Sequence, residues 1–179
     1  MKLPDIKGDI PVNLKIPNHC SVLVISKSQR SMTHALHKYP AKYIPEYPRW
    51  AIKKYTGNKN NIVLDPFCGS GTSNVEAKLA GHNSLAIDVD PLARFITKNK
   101  TTNQNKTKLL STKEQLYDQL SSIKSSKELP ENFDMVKLWF RPNVAKELYG
   151  LKRQITQIQD SKIRDFFLLC FSSSIRKVS

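Results

Sequence analysis

The sequence lacks long apolar runs and has few cysteines. No stretch of about 18 consecutive apolar residues occurs, so no membrane-spanning helix is predicted. The segment Met1–Pro11 alternates charges with proline and glycine and has no apolar core, so we expect no secretory signal. The three cysteines (Cys20, Cys68 and Cys170) lie far apart, which disfavours a disulfide framework or a zinc site and favours the reducing cytoplasm.

Acidic residues are scarce relative to basic ones. The 179 residues include 29 Lys and Arg but 15 Asp and Glu, for a formal net charge of +14, and the excess is spread along the chain. Hydrophobic residues at 39% and charged residues at 25% are typical of a folded domain. Such a basic surface suits a polyanionic partner, because Lys and Arg displace counterions from a phosphate backbone. The alternative is a surface that is basic for solubility alone.

A strand–turn–helix–strand–helix order is predicted between residues 61 and 100. The apolar runs Asn61–Asp65 and Ser84–Asp88 each end in an acid and predict buried parallel strands. A Gly-rich turn follows the first run, and a helix follows each strand. This order is typical of the opening of a doubly wound α/β sheet.

Capping residues and apolar spacing predict the helices. Thr72 or Ser73 could cap the helix after the turn, with Glu76 in its first turn to complement the helix dipole. Asp90 and Pro91 predict the start of the next helix, whose buried face would hold Leu92, Phe95 and Ile96. Two further elements are predicted before residue 61: a strand at Ser21–Ile25 and a helix at Arg49–Tyr55. After residue 100, an amphipathic helix that carries Leu109, Leu116, Leu120 and Ile123 is predicted before a loop at Lys127–Asn132. Further helices are predicted to begin at Pro142 and after Asp160.

The turn Asp65–Thr72 lies where an open α/β sheet binds ligands, at the carboxyl end of a strand. Gly69 and Gly71 allow a ligand to approach the backbone closely. The Asp65 carboxylate would repel a pyrophosphate but suits a ligand with an ammonium group, such as S-adenosylmethionine (AdoMet). Asp88, at the end of the second strand, could accept both ribose hydroxyls. A phosphate-binding Walker loop is excluded because no lysine follows the glycines, and a dinucleotide fingerprint would need a third glycine.

The run Asp65-Pro-Phe-Cys-Gly-Ser-Gly-Thr72 resembles the AdoMet-binding motif of the DNA amino-methyltransferases, which methylate cytosine N4 or adenine N6. The segment His37–Trp50 resembles the motif that precedes it and lines the methionine end of AdoMet. Ala86–Ala93 resembles the segment with the ribose-binding acid. Phe166–Ser179 resembles a helix in a subgroup of cytosine-N4 enzymes. The resemblance covers most of residues 34–100 and the C-terminal end.

This resemblance implies an α/β protein with an incomplete Rossmann-like AdoMet-dependent methyltransferase fold and a C-terminal helical segment. We expect one partial domain over residues 1–179, divided into a basic leader (1–36), a cofactor-binding α/β core (37–100) and a mainly helical segment (101–179). It implies AdoMet as the cofactor, DNA but no membrane as a partner, and a cytoplasmic location. The implied cofactor-binding residues are Tyr39, Pro40, Ala41, Lys42, Asp65, Pro66, Phe67, Cys68, Gly69, Ser70, Gly71, Thr72, Asp88 and Val89.

No Pro-Pro pair occurs in the sequence. The family's catalytic loop, (Asp/Asn/Ser)-Pro-Pro-(Tyr/Phe/Trp), accepts hydrogen bonds from the target amine and stacks on the flipped base. In the family's motif order this loop would follow residue 179, so we expect a downstream or partner segment to supply it. The leading hypothesis is the AdoMet-binding part of a site-specific cytosine-N4 DNA methyltransferase from a restriction–modification system. The alternatives are an adenine-N6 enzyme, an RNA guanine-N2 methyltransferase module and a non-catalytic half that binds nucleic acid or a partner.

A few further residues have two interpretations. Cys68 has no neighbouring base, which favours a packing role over a nucleophile. His34 and His37 have no acid nearby in sequence, so a metal pair is disfavoured. Aromatic residues before the turn could stack on a base or on adenine, although packing is favoured. The candidates for stacking are Tyr39, Tyr43, Tyr47 and Trp50. The candidates for DNA phosphate contacts are Lys38, Lys42 and Arg49.

Overall fold

The structure is a computed structural model that describes residues 5–28, 31–40, 42–57, 60–119, 133–175 and 177–178. Residues 1–101 form one compact unit and residues 102–179 form another. Several predictions lie outside the described residues: the cofactor contact at Ala41, the helical positions Leu120 and Ile123, and the loop Lys127–Asn132.

The first unit alternates short strands with helices. Its elements in chain order are β1 (Ile6–Lys7), β2 (Val24–Ile25), α1 (Glu46–Tyr55), β3 (Ile62–Asp65), α2 (Thr72–Leu79), β4 (Asn83–Ala86) and α3 (Pro91–Thr101). β1 pairs with β2 and β3 with β4, both in parallel. Since Asp65 pairs with Ala86, β3 and β4 end together at one edge of the sheet. The predicted strand, turn and helix order of residues 61–100 is therefore present.

The start of α2 differs from the prediction. Gly71 is the N-cap, with a φ of 76° in the left-handed region, and a glycine offers no side chain to cap the helix. The expectation that Thr72 or Ser73 caps it is wrong, because both residues are already inside the helix. A glycine suits this position since residues with a Cβ rarely adopt such a φ. At α3 the prediction holds: Asp90 Oδ1 accepts a hydrogen bond from the Leu92 backbone N–H at 2.8 Å.

Three other boundaries and faces are corrected. α1 begins at Glu46, three residues before the predicted start, because a proline within the first helical turn is tolerated. The strand predicted at residues 21–25 is confined to Val24–Ile25. The buried face of α3 includes Ile96 as predicted, but Leu92 is exposed and its place is taken by Ala93 and polar residues near the C-terminus of the helix.

One face of the β3–β4 pair is exposed. We call it the bare sheet face: Ile62, Leu64, Leu85 and Ile87, which are 50–73% exposed. Side chains alternate across a strand, so the opposite face carries Val63, which is half-buried. α2 packs against both strands. The sequence predicted strands buried on both faces. Parallel sheets usually carry helices on both faces. The apolar side chains of the bare sheet face are therefore typical of a face that another layer of structure covers.

Glu46 joins the N-terminal segment to α1. Its fully buried carboxylate accepts hydrogen bonds from Ser26 Oγ, the Lys27 backbone N–H, and both the backbone N–H and the Oγ of Ser28, at 2.7–3.1 Å. Burial opposes the charged form, but these bonds outweigh it and hold the pKa of Glu46 at about 2. The described part of the leader therefore packs into the same unit as the strands.

The described elements of the second unit are helices. Its elements are α4 (Lys106–Asp118), α5 (Phe133–Val136), α6 (Pro142–Thr156) and α7 (Ser161–Ile175). α6 packs against α7, and the buried side chains of this pair are Ala145, Ile155, Ile163 and Leu169. Within the described ranges, no helix is long and apolar enough to cross a membrane.

Candidate functional site

The Gly-rich turn, residues 66–71, leaves β3 and folds against the residues that follow β4. The Cys68 backbone N–H donates to the Ile87 carbonyl at 2.9 Å, and the Ile87 N–H donates to the Asp65 carbonyl at 2.9 Å. These bonds continue the strand pairing beyond the ends of β3 and β4. The two acids singled out in the sequence, Asp65 and Asp88, consequently lie at the same edge of the sheet.

Asp88 holds the turn through its carboxylate. Oδ2 accepts the Gly69 backbone N–H at 2.8 Å, and Oδ1 accepts the Asp90 backbone N–H at 2.9 Å. These bonds, from Asp90 and then Gly69, lower the pKa of Asp88. Each carboxylate oxygen has a second lone pair, so the residue can fix the turn and still accept a further donor.

α3 holds the turn from the opposite side. Thr97 Oγ1 donates to the Gly69 carbonyl at 3.0 Å, and Lys100 Nζ donates to the Ser70 carbonyl, also at 3.0 Å. At Gly71 the approach is so close that an added Cβ would lie 2.7 Å from Thr97 Cγ2 and Oγ1. Sequence reasoning missed Thr97 and Lys100. Their spacing after Ala93, at intervals of four and three, is the helical signal that could have placed them on the buried face.

Cys68 is buried beneath the turn. Thr97 Oγ1 approaches its Sγ at 3.7 Å. Burial raises the pKa of the Cys68 thiol, which disfavours the thiolate that a nucleophile requires. This environment agrees with the packing role favoured by the sequence.

Aromatic and apolar side chains surround the exposed side of the turn. The Tyr39 hydroxyl donates to Asp90 Oδ2 at 2.8 Å, and this bond raises the pKa of Tyr39. A Cβ added at Gly69 would lie 3.6 Å from Tyr39 Cε1, so the ring covers that glycine. Phe67 and Val89 are 86% and 94% exposed. Of the other predicted contacts, Pro40, Lys42 and Pro66 are exposed, whereas Ser70 and Thr72 are buried.

A buried ionic cluster lies next to this site. His34 Nε2 lies 2.8 Å from Glu76 Oε1, while Arg49 donates to both oxygens of Glu76 at 2.7 and 2.9 Å and to Asp9 at 2.5 Å. Two carboxylates engage the Arg49 guanidinium, which disfavours the DNA phosphate contact expected of Arg49; that contact stays a prediction. Glu76 is the fifth residue of α2 and lies outside its first turn, so the expected role at the helix dipole is wrong, and its carboxylate binds His34 and Arg49 instead. Burial raises the pKa of Glu76, but the bonds from His34 and Arg49 outweigh it and the net shift is downward.

His34 therefore has an acidic partner, 42 residues away in sequence. Lys42 Nζ donates to the His34 carbonyl at 3.2 Å, and Lys38 is exposed. Across the described residues, no group of three or more His, Cys, Asp or Glu side chains could hold a metal ion.

The other aromatic candidates line an apolar groove of about 420 Å³. Tyr43, Tyr47 and Trp50 form its walls together with Val63 and Leu64 of β3. The Tyr43 hydroxyl lies 3.3 Å from Asp65 Oδ2 and also contacts Ser73 Oγ. The aromatic residues thus divide into Tyr39 at the turn and the other three in the groove.

Known proteins share the sequence that builds this site. Residues 17–99 match the DNA methylase family of the N6/N4 type. The chain is 30% identical over 165 residues to the type II methyltransferase M.MvaI of Kocuria varians, an alignment that covers 87% of the chain and 36% of that relative. It is 33% identical over 111 residues to the type II methyltransferase M.MjaII of Methanocaldococcus jannaschii, covering 62% of the chain and 20% of that relative. No solved structure matches.

The chain thus spans about a third or less of the length of these curated relatives. The family match contains His34, Arg49 and Glu76 of the ionic cluster, the turn and most of α3. Members of this family use AdoMet as the methyl donor. The resemblance seen in the sequence is confirmed: the chain is similar to the N6/N4-type DNA methylases over the residues that build the site, and to type II methyltransferases.

Proposed function

We propose that this chain is the AdoMet-binding part of a site-specific DNA methyltransferase that acts on cytosine N4 in a cytoplasmic restriction–modification system. The observation that carries the proposal is the turn at the ends of β3 and β4. Its backbone is fixed by Asp88 on one side and by Thr97 and Lys100 on the other. A ligand that binds to the backbone needs such a preformed surface, because ordering a loop costs binding free energy.

AdoMet fits the chemistry of these residues. It supplies a methyl group on a sulfonium centre, and it carries an α-amino group that suits the half-buried carboxylate of Asp65. The turn residues Gly69, Ser70 and Gly71 would contact it through their backbone, and Asp88 would receive the ribose hydroxyls on its remaining lone pairs. Tyr39, with the exposed Phe67 and Val89, would border the adenine. In this proposal, residues 1–179 together form one partial AdoMet-binding domain.

Methyl transfer also needs a group that accepts the protons of the target amine and stacks on the flipped base. We propose that a complementary segment or subunit carries this acceptor-Pro-Pro-aromatic loop and packs on the bare sheet face. The apolar side chains of that face and the 36% coverage of M.MvaI support this arrangement. DNA would be attracted by the net charge of +14, with the exposed Lys38 and Lys42 as candidate phosphate contacts.

Calorimetric titration with AdoMet tests cofactor binding. We expect the wild-type chain to bind AdoMet and Asp65→Asn to bind it roughly ten-fold more weakly, because a charged hydrogen bond contributes about 1.5–3 kcal/mol. Asp118→Asn, at an exposed acid in the second unit, is the matched control and should bind normally. A folded chain that fails to bind millimolar AdoMet would contradict the proposal.

Complementation tests the second half of the proposal. The chain is mixed with the C-terminal two-thirds of a related methyltransferase, labelled AdoMet and DNA, and the methylated base is identified. We expect N4-methylcytosine only when both parts are present, and loss of it in Leu85→Asp, whereas Leu138→Asp, an exposed leucine in the second unit, retains it. Methylation by the chain alone would refute the need for a second part. N6-methyladenine, methylated RNA guanine or no product would favour the adenine-N6, RNA or non-catalytic alternative respectively.

A further inference from the structure

A buried lysine lies behind the turn with no carboxylate bound to its ammonium group in the described part of the chain. Lys100, the tenth residue of α3, is 3% exposed. Its Nζ donates to the Ser70 carbonyl at 3.0 Å and to the His34 carbonyl at 3.4 Å. A buried ammonium group is costly unless its charge is paired. Burial, and then the repulsion of Lys42, lower the pKa of Lys100 to about 8.

Methionine has nearly the same shape as lysine and would fill the same space without this cost. Packing alone therefore does not explain why the buried residue carries an ammonium group. Its hydrogen bonds to two carbonyl groups do. One carbonyl belongs to the turn and the other to the N-terminal segment, so Lys100 joins the two at the site. Lys42 reaches the same His34 carbonyl from the exposed side, at 3.2 Å.

The peptide groups on both sides of Ser70 are held by α3. Thr97 binds the Gly69 carbonyl, which shares a peptide plane with the Ser70 N–H. Lys100 binds the Ser70 carbonyl, which shares a plane with the Gly71 N–H. In a trans peptide the N–H points away from the C=O, so the Thr97 bond directs the Ser70 N–H away from α3. The Gly71 N–H donates to the Cys68 carbonyl at 2.7 Å, which closes the turn.

We propose that Lys100 is a positioning residue for the cofactor: its ammonium group fixes the second peptide plane of Ser70 against the N-terminal segment and so sets the backbone surface to which AdoMet binds. This inference rests on the proposed AdoMet site. It assigns to Lys100 no contact with AdoMet itself.

The test compares Lys100→Met with the wild type and with Lys106→Met, an exposed lysine in the second unit. Three quantities are measured: the AdoMet Kd, the amide exchange rate of Gly71 by NMR, and the urea midpoint. We expect Lys100→Met to bind AdoMet about ten-fold more weakly, on the scale of one lost charged hydrogen bond. We expect its Gly71 amide to exchange faster while the Ala145 amide of α6 does not change. The urea midpoint of Lys100→Met should not fall, because removing a buried charge offsets the loss of its hydrogen bonds.

A pH series adds a readout that packing alone would not change. The α-amino group of AdoMet titrates in the same range, so the variant-to-wild-type Kd ratio is used, in which that contribution cancels. The ratio should be largest below pH 8 and fall towards one above it, because the neutral amine no longer makes a charge-assisted bond. Among the described residues, the charged group that acts on the pKa of Lys100 is Lys42. His34 meets the ammonium group through its backbone carbonyl, while its imidazole is bound to Glu76 on α2.

The outcomes are distinguishable. Equal Kd values and equal Gly71 exchange rates in the wild type and Lys100→Met would overturn the role of Lys100. A fall in the urea midpoint with a ratio that does not depend on pH would overturn it in favour of a purely structural contact. If the wild type binds no AdoMet, the proposed function fails. In that case the Gly71 exchange rate still decides whether Lys100 fixes the turn.

Discussion

The contact between Gly71 and Thr97 leads to a quantitative prediction. Gly71 combines a φ of 76° with a neighbour so close that an added Cβ would meet Thr97 Cγ2 and Oγ1 at 2.7 Å and Thr97 Cβ at 3.0 Å. Gly57 has a similar φ of 62°, but no atom of the described residues lies within 4 Å of the position that its Cβ would take. Gly57→Ala therefore measures the backbone penalty alone, whereas Gly71→Ala measures that penalty together with the steric overlap.

Two physical effects set the magnitude. A left-handed backbone costs a residue with a Cβ about 1–2 kcal/mol. Forcing one extra carbon into a packed site costs about 1–3 kcal/mol more. We expect Gly57→Ala to lower the free energy of unfolding by about 1 kcal/mol and Gly71→Ala by about 3 kcal/mol. AdoMet binding should also weaken in Gly71→Ala, because Thr97 can yield only by releasing the Gly69 carbonyl.

Urea unfolding followed by circular dichroism measures both losses. The double variant Gly71→Ala, Thr97→Ala removes Thr97 Cγ2 and Oγ1 and should recover part of the loss, which gives a coupling free energy in a double-mutant cycle. Equal destabilisation by Gly57→Ala and Gly71→Ala would refute the steric argument. The steric argument would also be refuted if the effects of Gly71→Ala and Thr97→Ala on the free energy of unfolding were additive in the double variant.

The remaining predictions concern the charged residues of the first unit. Glu46→Gln should flatten the acid side of the stability profile: the folded pKa of about 2 lies below the ordinary 4.5, so stability from this group is present above about pH 4.5 and is lost as the pH falls towards 2. Urea midpoints measured across that range check the sign, and an unchanged profile would count against it. Arg49→Met should cost about 3 kcal/mol of unfolding free energy, because it leaves Glu76 buried without its main partner; a loss well below 1 kcal/mol would mean that the pair contributes little. Asp88→Ala should weaken AdoMet binding in calorimetry far more than Cys68→Ala, and equal losses would argue against the assigned role of Asp88.

Local patterns predicted the elements that place the site. Apolar runs indicated β3 and β4, Asp90 and Pro91 indicated the start of α3, and the two strand-end acids indicated where the turn lies. These predictions succeed because each depends on residues within a few positions of one another. The α2 cap failed because a glycine in the left-handed region left Thr72 and Ser73 inside the helix.

The side-chain contacts that fix the site could not be predicted in this way. Glu76 looked like a first-turn acid on α2, and Arg49 looked like a surface cation. Their pairing, with His34 as the third member, depends on how separate segments pack, which no local periodicity records. The bare sheet face shows the same limit: Leu64 and Leu85 have the pattern of buried strand residues, but the pattern does not say which part of the protein covers them.

The order in which the chain is made also affects the turn. The bonds that hold it join residues 28 and 30 positions apart, and Lys100 reaches back 66 positions to His34. Closing loops of this length is slow compared with forming a helix, so contacts of this kind lower the folding rate. During synthesis, the Gly-rich turn would leave the ribosome well before α3. The surface that receives the cofactor is therefore completed only after α3 has been synthesised and has packed back onto a turn made some thirty residues earlier.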